Sequence, residues 1–198
     1  MTAPLENATM KTIHTLLLLT AVVLSTGCLV RSIHPWLPED AAMDEPALAG
    51  SWQDERSNTS ATFTAGDTAY EVEITDRQGH ASHLRASLHR RAGHWLLQVG
   101  PRDPKHLEAF VVLPGHILYR AELEDDRLTL YPVDVDSFEV RAEHARLSLV
   151  AEGSRENGYI LSGGPAEIGA FLEAQLKDPG FFSATPHYTF QRRAGDAP

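Results

Sequence analysis

Histidine is the residue type in this chain with the clearest potential for chemistry, since ten of the 198 residues are histidines and a neutral imidazole is a common metal ligand. Four of them, His80, His83, His89 and His94, fall within one predicted hairpin. His83 and His89 would share a strand face, but six residues at about 3.3 Å each separate them by about 20 Å. His89 and His94 flank a short turn and could approach each other across it. We interpret the four as surface histidines and predict no metal site.

Paired carboxylates and one glycine-rich segment are the next candidates for catalysis or binding. Glu71 and Glu73, like Glu122 and Glu124, are two residues apart on predicted strands, so each pair lies on an outward, solvated face. Residues 162–164, Ser-Gly-Gly, precede a predicted helix whose free N–H groups could hold an anion. A glycine-proline helix start explains the same residues, and we favour that interpretation.

Other classes of active or binding site are disfavoured by motif, charge and cysteine content. The chain has no Gly-x-Ser-x-Gly nucleophile motif, phosphate-binding loop or dinucleotide fingerprint. With 27 acidic against 17 basic residues, its formal net charge of -10 would be repelled by nucleic-acid phosphates. One cysteine permits neither an intrachain disulfide nor a cysteine-based zinc site. We therefore expect no enzyme, no cofactor and no nucleic-acid partner.

The N-terminal residues have the features of a secretory signal. Lys11 supplies a positive charge, and residues 16–24 are an apolar run of nine interrupted by one threonine. This run is too short to cross a bilayer, which requires about 20 residues. Residues 1–27 are thus predicted to be a signal peptide, and Met10, directly before Lys11, is the more natural start.

The single cysteine ends this signal after the small residues 25–27 and resembles the lipobox of bacterial lipoproteins. The match departs from the family pattern at one place, because Leu24 lies four residues before Cys28 and Ser25 occupies the position where the family prefers leucine. The alternative is an ordinary cleaved signal followed by a free cysteine. The resemblance implies lipidation of Cys28, with the acyl chains as a membrane anchor. Leu29, where the family uses Asp for inner-membrane retention, implies the outer membrane, facing the periplasm.

The segment that follows is proline-rich and has no sustained hydrophobic period. Residues 28–47 are predicted to be the lipidated N-terminus and a tether, in which Trp36 and Leu37 could dock on the domain. The domain itself is predicted over residues 48–193, with a disordered tail over 194–198.

Apolar and polar residues alternate through most of this domain, which is typical of antiparallel strands with one buried face. Residues 70–75, for example, read Tyr-Glu-Val-Glu-Ile-Thr. A spacing of about ten residues between strands favours a sheet that closes on itself. Pro165 begins a predicted helix over about 165–177, and a short helix is favoured near 136–144. The sequence thus predicts a mainly β, up-and-down antiparallel barrel of about eight strands, closed by a last strand near residues 188–192.

The order of these elements resembles a group of bacterial lipoproteins with a lipocalin-like, or calycin-like, barrel. A lipobox is followed by Gly50-Ser51-Trp52, which is similar to the first-strand tripeptide of lipocalins, and a helix of the form Ala166-Glu167-Ile168-x-x-Phe171-Leu172 comes after the later strands. The resemblance covers most of residues 48–193 and implies no established activity. It also implies that Trp52 packs beneath Arg192 or Arg193 of the last strand and closes the barrel floor.

The barrel interior is the remaining candidate for a binding site. Large apolar residues could line a pocket for a small apolar ligand, which is the function we favour from the sequence, or simply fill the space. In the second case the protein would be a structural or interaction module of the cell envelope, and loops 101–107 and 151–158 would contact its protein partner. The predicted inward-facing set is Tyr70, Val72, Ile74, Leu84, Leu88, Trp95, Leu97, Tyr119 and Leu123.

Overall fold

The computed structural model describes residues 29–102, 115–151 and 158–195, which contain eleven strands and two helices. The strands are β1 (Leu29–Ser32), β2 (Gly50–Asp54), β3 (Thr59–Ala65), β4 (Tyr70–Thr75), β5 (Ala81–Arg91), β6 (His94–Pro101), β7 (His116–Glu124), β8 (Arg127–Pro132), β9 (Leu149–Ala151), β10 (Gly158–Leu161) and β11 (Tyr188–Arg192). The helices are α1 (Val135–His144) and α2 (Pro165–Gln175).

Eight of these strands form a closed antiparallel barrel, which confirms the predicted fold class. Strands β2 to β8 follow one another around the barrel, and β6 also pairs with β7. Strand β11 lies between β2 and β8 and closes the barrel. The alternation that predicted the strands is visible in β4, where Tyr70 and Val72 are buried and Glu71 and Glu73 are exposed.

Local sequence signals determine several of the turns and helix ends. Ala92 and Gly93, between β5 and β6, have φ values of 48° and 84°, and positive φ at both central residues is the geometry of a two-residue hairpin turn. Helix α1 begins after Asp134, whose carboxylate accepts the Ser137 N–H at 3.1 Å. Helix α2 begins at Pro165, and both helices lie where the sequence predicts them.

A second hydrophobic core lies outside the barrel. Strands β1, β10 and β9 extend the sheet from β7, and the two helices cover its outer face. Leu96 of β6 and Leu118 of β7 point outward and are fully buried in this core with Phe138 of α1 and Phe171 of α2. Both faces of β6 and β7 are therefore covered.

The segment predicted to be a tether is part of the second core, as far as the structure describes it. Val30 of β1 pairs with Tyr159 of β10 in a parallel arrangement. Trp36 and Leu37 are buried, and the Trp36 Nε1–H donates to the His116 carbonyl oxygen at 3.0 Å. A four-residue strand whose partner is far along the chain leaves no periodic signal, which is why the sequence indicates only a tether. Residues 1–27, predicted to be a signal peptide, Cys28 and residues 196–198 of the predicted tail lie outside the described residues.

Candidate functional site

The nine residues predicted to line the barrel all belong to its core. Five are buried and four are half-buried against them. The buried ones are Tyr70, Val72, Leu88, Leu97 and Tyr119, and the half-buried ones are Ile74, Leu84, Trp95 and Leu123. Whether any of them binds a ligand stays a prediction.

Ten further buried side chains share the interior with the predicted set. They are Leu48, Trp52, Ala61, Phe63, Ala86, Val99, Ala121, Leu128, Leu130 and Phe190. Most lie on strands whose alternation is visible in the sequence, such as Ala61 and Phe63 between Ser60, Thr62 and Thr64. Leu48 is different, because it precedes β2 and enters the barrel from the N-terminal segment.

Side chains fill the end of the barrel that Leu48 enters. The gap beside Leu48, Trp95 and Leu97 has a volume of about 10 Å³, which is about the minimum that one water molecule requires. Sites for small organic ligands usually have volumes of about 300–1,000 Å³. The gap that the described residues leave at this end is therefore too small for such a ligand.

The floor of the barrel at this end is closed by Trp52 and Arg192. The Arg192 guanidinium lies over the Trp52 indole, 4.2 Å from the ring centroid, which is a cation–π arrangement. The guanidinium also donates to the carbonyl oxygens of Ala47 and Ala49. The Trp52 Nε1–H donates to the Leu48 carbonyl oxygen at 3.0 Å. Of the two arginines that the resemblance left open, Arg192 occupies this place.

Polar groups at the other end of the barrel are hydrogen-bonded to one another. The Tyr119 hydroxyl lies 3.1 Å from His187 Nδ1, and the His187 ring stacks on Tyr188 at 4.2 Å. Burial lowers the pKa of His187 and raises the pKa of Tyr119, so at neutral pH the hydrogen bond joins two uncharged groups. Buried Asp54 accepts the backbone N–H groups of Arg56, Ser57 and Thr189. These hydrogen bonds fix the end of β2 and the start of β11.

The histidines of the β5–β6 hairpin are separated by the structure. His80 and His83 are exposed, beside Asp76 at 3.2 Å and Glu73 at 3.7 Å respectively. His94 is half-buried, whereas His89 is fully buried on the outer face of β5. Across the ranges that the structure covers, no three His, Cys, Asp or Glu side chains are placed to hold a metal ion.

The other candidates take part in ordinary structural contacts. Glu71 pairs with Arg102 at 2.7 Å and Glu122 pairs with Arg120 at 2.8 Å, both at the surface. At the start of α2, the Glu167 carboxylate accepts the Gly164 N–H at 2.9 Å. The helix start is thus capped by its own side chain.

The N-terminal segment covers a polar region of the outer barrel surface that the sequence analysis missed. We call residues 37–43 the strap, because they cross β5 and β6 and bury the side chains of Ser87, His89 and Gln98. A small polar pocket of about 20 Å³ lies at its edge, with Arg85 and His116 among its lining residues. In sequence these polar residues are indistinguishable from a solvated strand face.

Comparison of the chain with protein-family models, curated proteins and solved structures gives no match. The function is therefore inferred from the residues and contacts described above. Among the described residues, no helix has the length and apolar character needed to cross a bilayer. The loops predicted to contact a partner, 101–107 and 151–158, lie largely outside the described residues.

Proposed function

We propose that this protein is a lipid-anchored lipoprotein of the bacterial cell envelope whose filled barrel serves as a structural or protein-interaction module and performs no catalysis. The observation that carries this proposal is the packing of fifteen buried side chains into the described barrel interior. At the end of the barrel that Leu48 enters, these side chains leave a gap with a volume of only about 10 Å³.

The anchor belongs to the proposal because of where Cys28 lies along the chain. Cys28 directly precedes Leu29, the first residue of β1, and Val30 is buried in the second core. Acyl chains on Cys28 would hold this core close to the lipid surface, with the outer membrane, facing the periplasm, as the proposed location. The partner is then another envelope component that binds the outer surface of the barrel.

Binding of a small apolar ligand is the second candidate, and one observation favours it. Ile74, Ile117 and Tyr188 are half-buried. Each lies within two residues of the end of its strand, at the mouth of the barrel that also carries the turn over residues 76–80. Apolar side chains at a barrel mouth could contact a ligand that binds there.

Native mass spectrometry of the purified protein decides between the two candidates. A filled barrel predicts that the mass measured under native conditions equals the mass measured after denaturation. A copurified small molecule would appear as a native mass excess that is lost on unfolding, and this excess would favour the ligand-binding function.

Lipidation is tested separately by expressing the full chain and its Cys28→Ser variant in a bacterium. The wild-type protein is expected in the membrane fraction, with an N-terminal peptide that begins at residue 28 and carries the mass of acyl chains. The variant is expected to lose both properties because serine has no thiol to acylate. A wild-type mature protein that begins elsewhere would contradict the anchor and leave the barrel argument unaffected.

A further inference from the structure

The strap is held on the barrel by a continuous chain of hydrogen bonds. The Leu37 N–H donates to Gln98 Oε1 at 2.9 Å, and Gln98 Nε2 lies 3.4 Å from Ser87 Oγ. Ser87 Oγ is 2.9 Å from His89 Nε2, and His89 Nδ1 is 3.2 Å from the Ala41 carbonyl oxygen. This series of hydrogen bonds therefore starts at residue 37 of the strap, runs through side chains of β5 and β6, and returns to the strap at residue 41.

A neutral His89 satisfies every donor and acceptor of this hydrogen-bond chain. The Ala41 carbonyl can only accept, so Nδ1 carries the hydrogen. In the neutral imidazole Nε2 is then an acceptor for the Ser87 hydroxyl, and Ser87 Oγ accepts from Gln98. Every donor in the chain points toward an acceptor.

Protonation of His89 would break this order. Both ring nitrogens would then be donors, so the Ser87 hydroxyl would lose its acceptor while a full charge remained at a fully buried position. Burial is the main influence and holds the pKa of His89 below its ordinary value, against the opposing effect of the hydrogen bond to the Ala41 carbonyl oxygen, which favours the charged ring.

The charged groups around His89 do not stabilise a protonated ring in place of the water that burial removes. Arg91 of the same strand opposes a charge on His89 and pairs with Glu173 of α2 at 3.7 Å. Glu39 of the strap favours the charge but is 3.4 Å from Arg85. From β6, the neighbours are the uncharged side chains of Gln98 and Leu96. His116, at the edge of the strap, also has a pKa lowered by burial.

The strap has fixed points on both sides. Trp36 is buried before it, and after it the Tyr70 hydroxyl accepts the Glu45 N–H at 2.8 Å. Within the strap, the Met43 N–H donates to the Leu88 carbonyl oxygen at 2.7 Å. Release of residues 37–43 would therefore draw the buried Leu37 side chain out of the second core, while Trp36 before the strap and the Glu45–Tyr70 contact after it stay in place.

We propose that the strap is an acid-released cover, held on β5 and β6 while His89 is neutral and freed when His89 is protonated, so that acid exposes the polar surface of Ser87 and Gln98. In the released form His89 returns toward its ordinary pKa of about 6.5. Because the attached form has the lower pKa, attachment is strongest above about pH 6.5 and weakens as the pH falls toward the pKa of the attached form.

Hydrogen exchange of the strap amides tests this proposal. With exchange rates corrected for their intrinsic pH dependence, protection of the Leu37 and Met43 amides is expected to fall by about tenfold for each pH unit between these two pKa values. Peptides from β7 should keep their protection over the same range, which separates strap release from global unfolding.

His89→Asn is the informative variant, because its amide nitrogen can still donate toward Ala41 and it does not titrate. Its strap protection is expected to be independent of pH. The matched control is His83→Asn, the same change at an exposed histidine of the same strand, which should retain the wild-type dependence. The proposal would be overturned if strap protection in the wild type did not depend on pH, or if the pH dependence of protection in His89→Asn were the same as in the wild type.

A second measurement on the wild-type protein keeps the test decisive if His89→Asn does not fold. The titration of the His89 ring and the loss of strap protection, both followed by NMR, are expected to have the same midpoint. Two separate midpoints would show that another group releases the strap and would likewise overturn the proposal.

Discussion

Replacing Trp52 with alanine is expected to lower the free energy of unfolding by about 3–5 kcal/mol, the usual cost of deleting a large buried aromatic side chain. Trp52 is fully buried in the barrel core and lies under the Arg192 guanidinium at 4.2 Å. The substitution also removes the donor to the Leu48 carbonyl oxygen. Loss of the indole would thus loosen the floor at the place where β2, β11 and the residues before β2 meet.

Urea denaturation followed by circular dichroism measures this loss of stability. Two other variants serve as comparisons. Arg193→Ala changes an exposed side chain next to Arg192 and is expected to alter stability by less than about 0.5 kcal/mol. Trp52→Phe keeps an aromatic ring but loses the indole N–H, so an intermediate loss is expected. A loss below about 1 kcal/mol for Trp52→Ala would contradict the role assigned to Trp52 as the floor of the core.

Trp36→Ala is expected to cost a similar 3–5 kcal/mol, although Trp36 lies in the segment that the sequence predicts to be a tether. Its ring is 1 % exposed and packs edge-on against Phe138, with ring centroids 6.3 Å apart. Its indole also joins the N-terminal segment to β7 through the His116 carbonyl oxygen. Removing the ring would leave a cavity between α1 and the outer face of the sheet.

The control for this variant is Met43→Ala, seven residues later in the same segment. The Met43 side chain is 45 % exposed, and its backbone bond to Leu88 does not depend on the side chain. Its replacement is expected to change stability by less than about 0.5 kcal/mol. Equal and negligible losses for the two variants would mean that the segment is a tether in solution.

The barrel could be predicted from the sequence because each of its strands buries one face. In β4 the burial of Tyr70 and Val72 follows the apolar positions directly. The second core was missed because its strands are short and their partners are distant. A signal for it exists in the uninterrupted apolar runs of β6 and β7, where Leu96 and Leu118 follow Trp95 and Ile117, since an unbroken run indicates that both faces are covered.

The candidate sites could be predicted only where their residues follow the alternation of apolar and polar positions along a strand. The positions of the inward-facing residues follow from alternation, whereas the space left between them depends on packing. Ser87, His89 and Gln98 occupy outward positions that resemble a solvated face, and only the strap makes them buried. A contact between residues 48 positions apart, such as His89 with Ala41, has no local signature.

The pairing of the first barrel strand with the last one affects how the chain is completed during synthesis. Strand β2 leaves the ribosome before β11, which pairs with both β2 and β8 and follows every other described strand in the sequence. Until Tyr188–Arg192 are available, β2 and β8 each have an unpaired edge, and such edges recruit strands from other chains. Chains that stop before β11 are therefore expected to aggregate, and newly made chains can pair with their copies until β11 has been made.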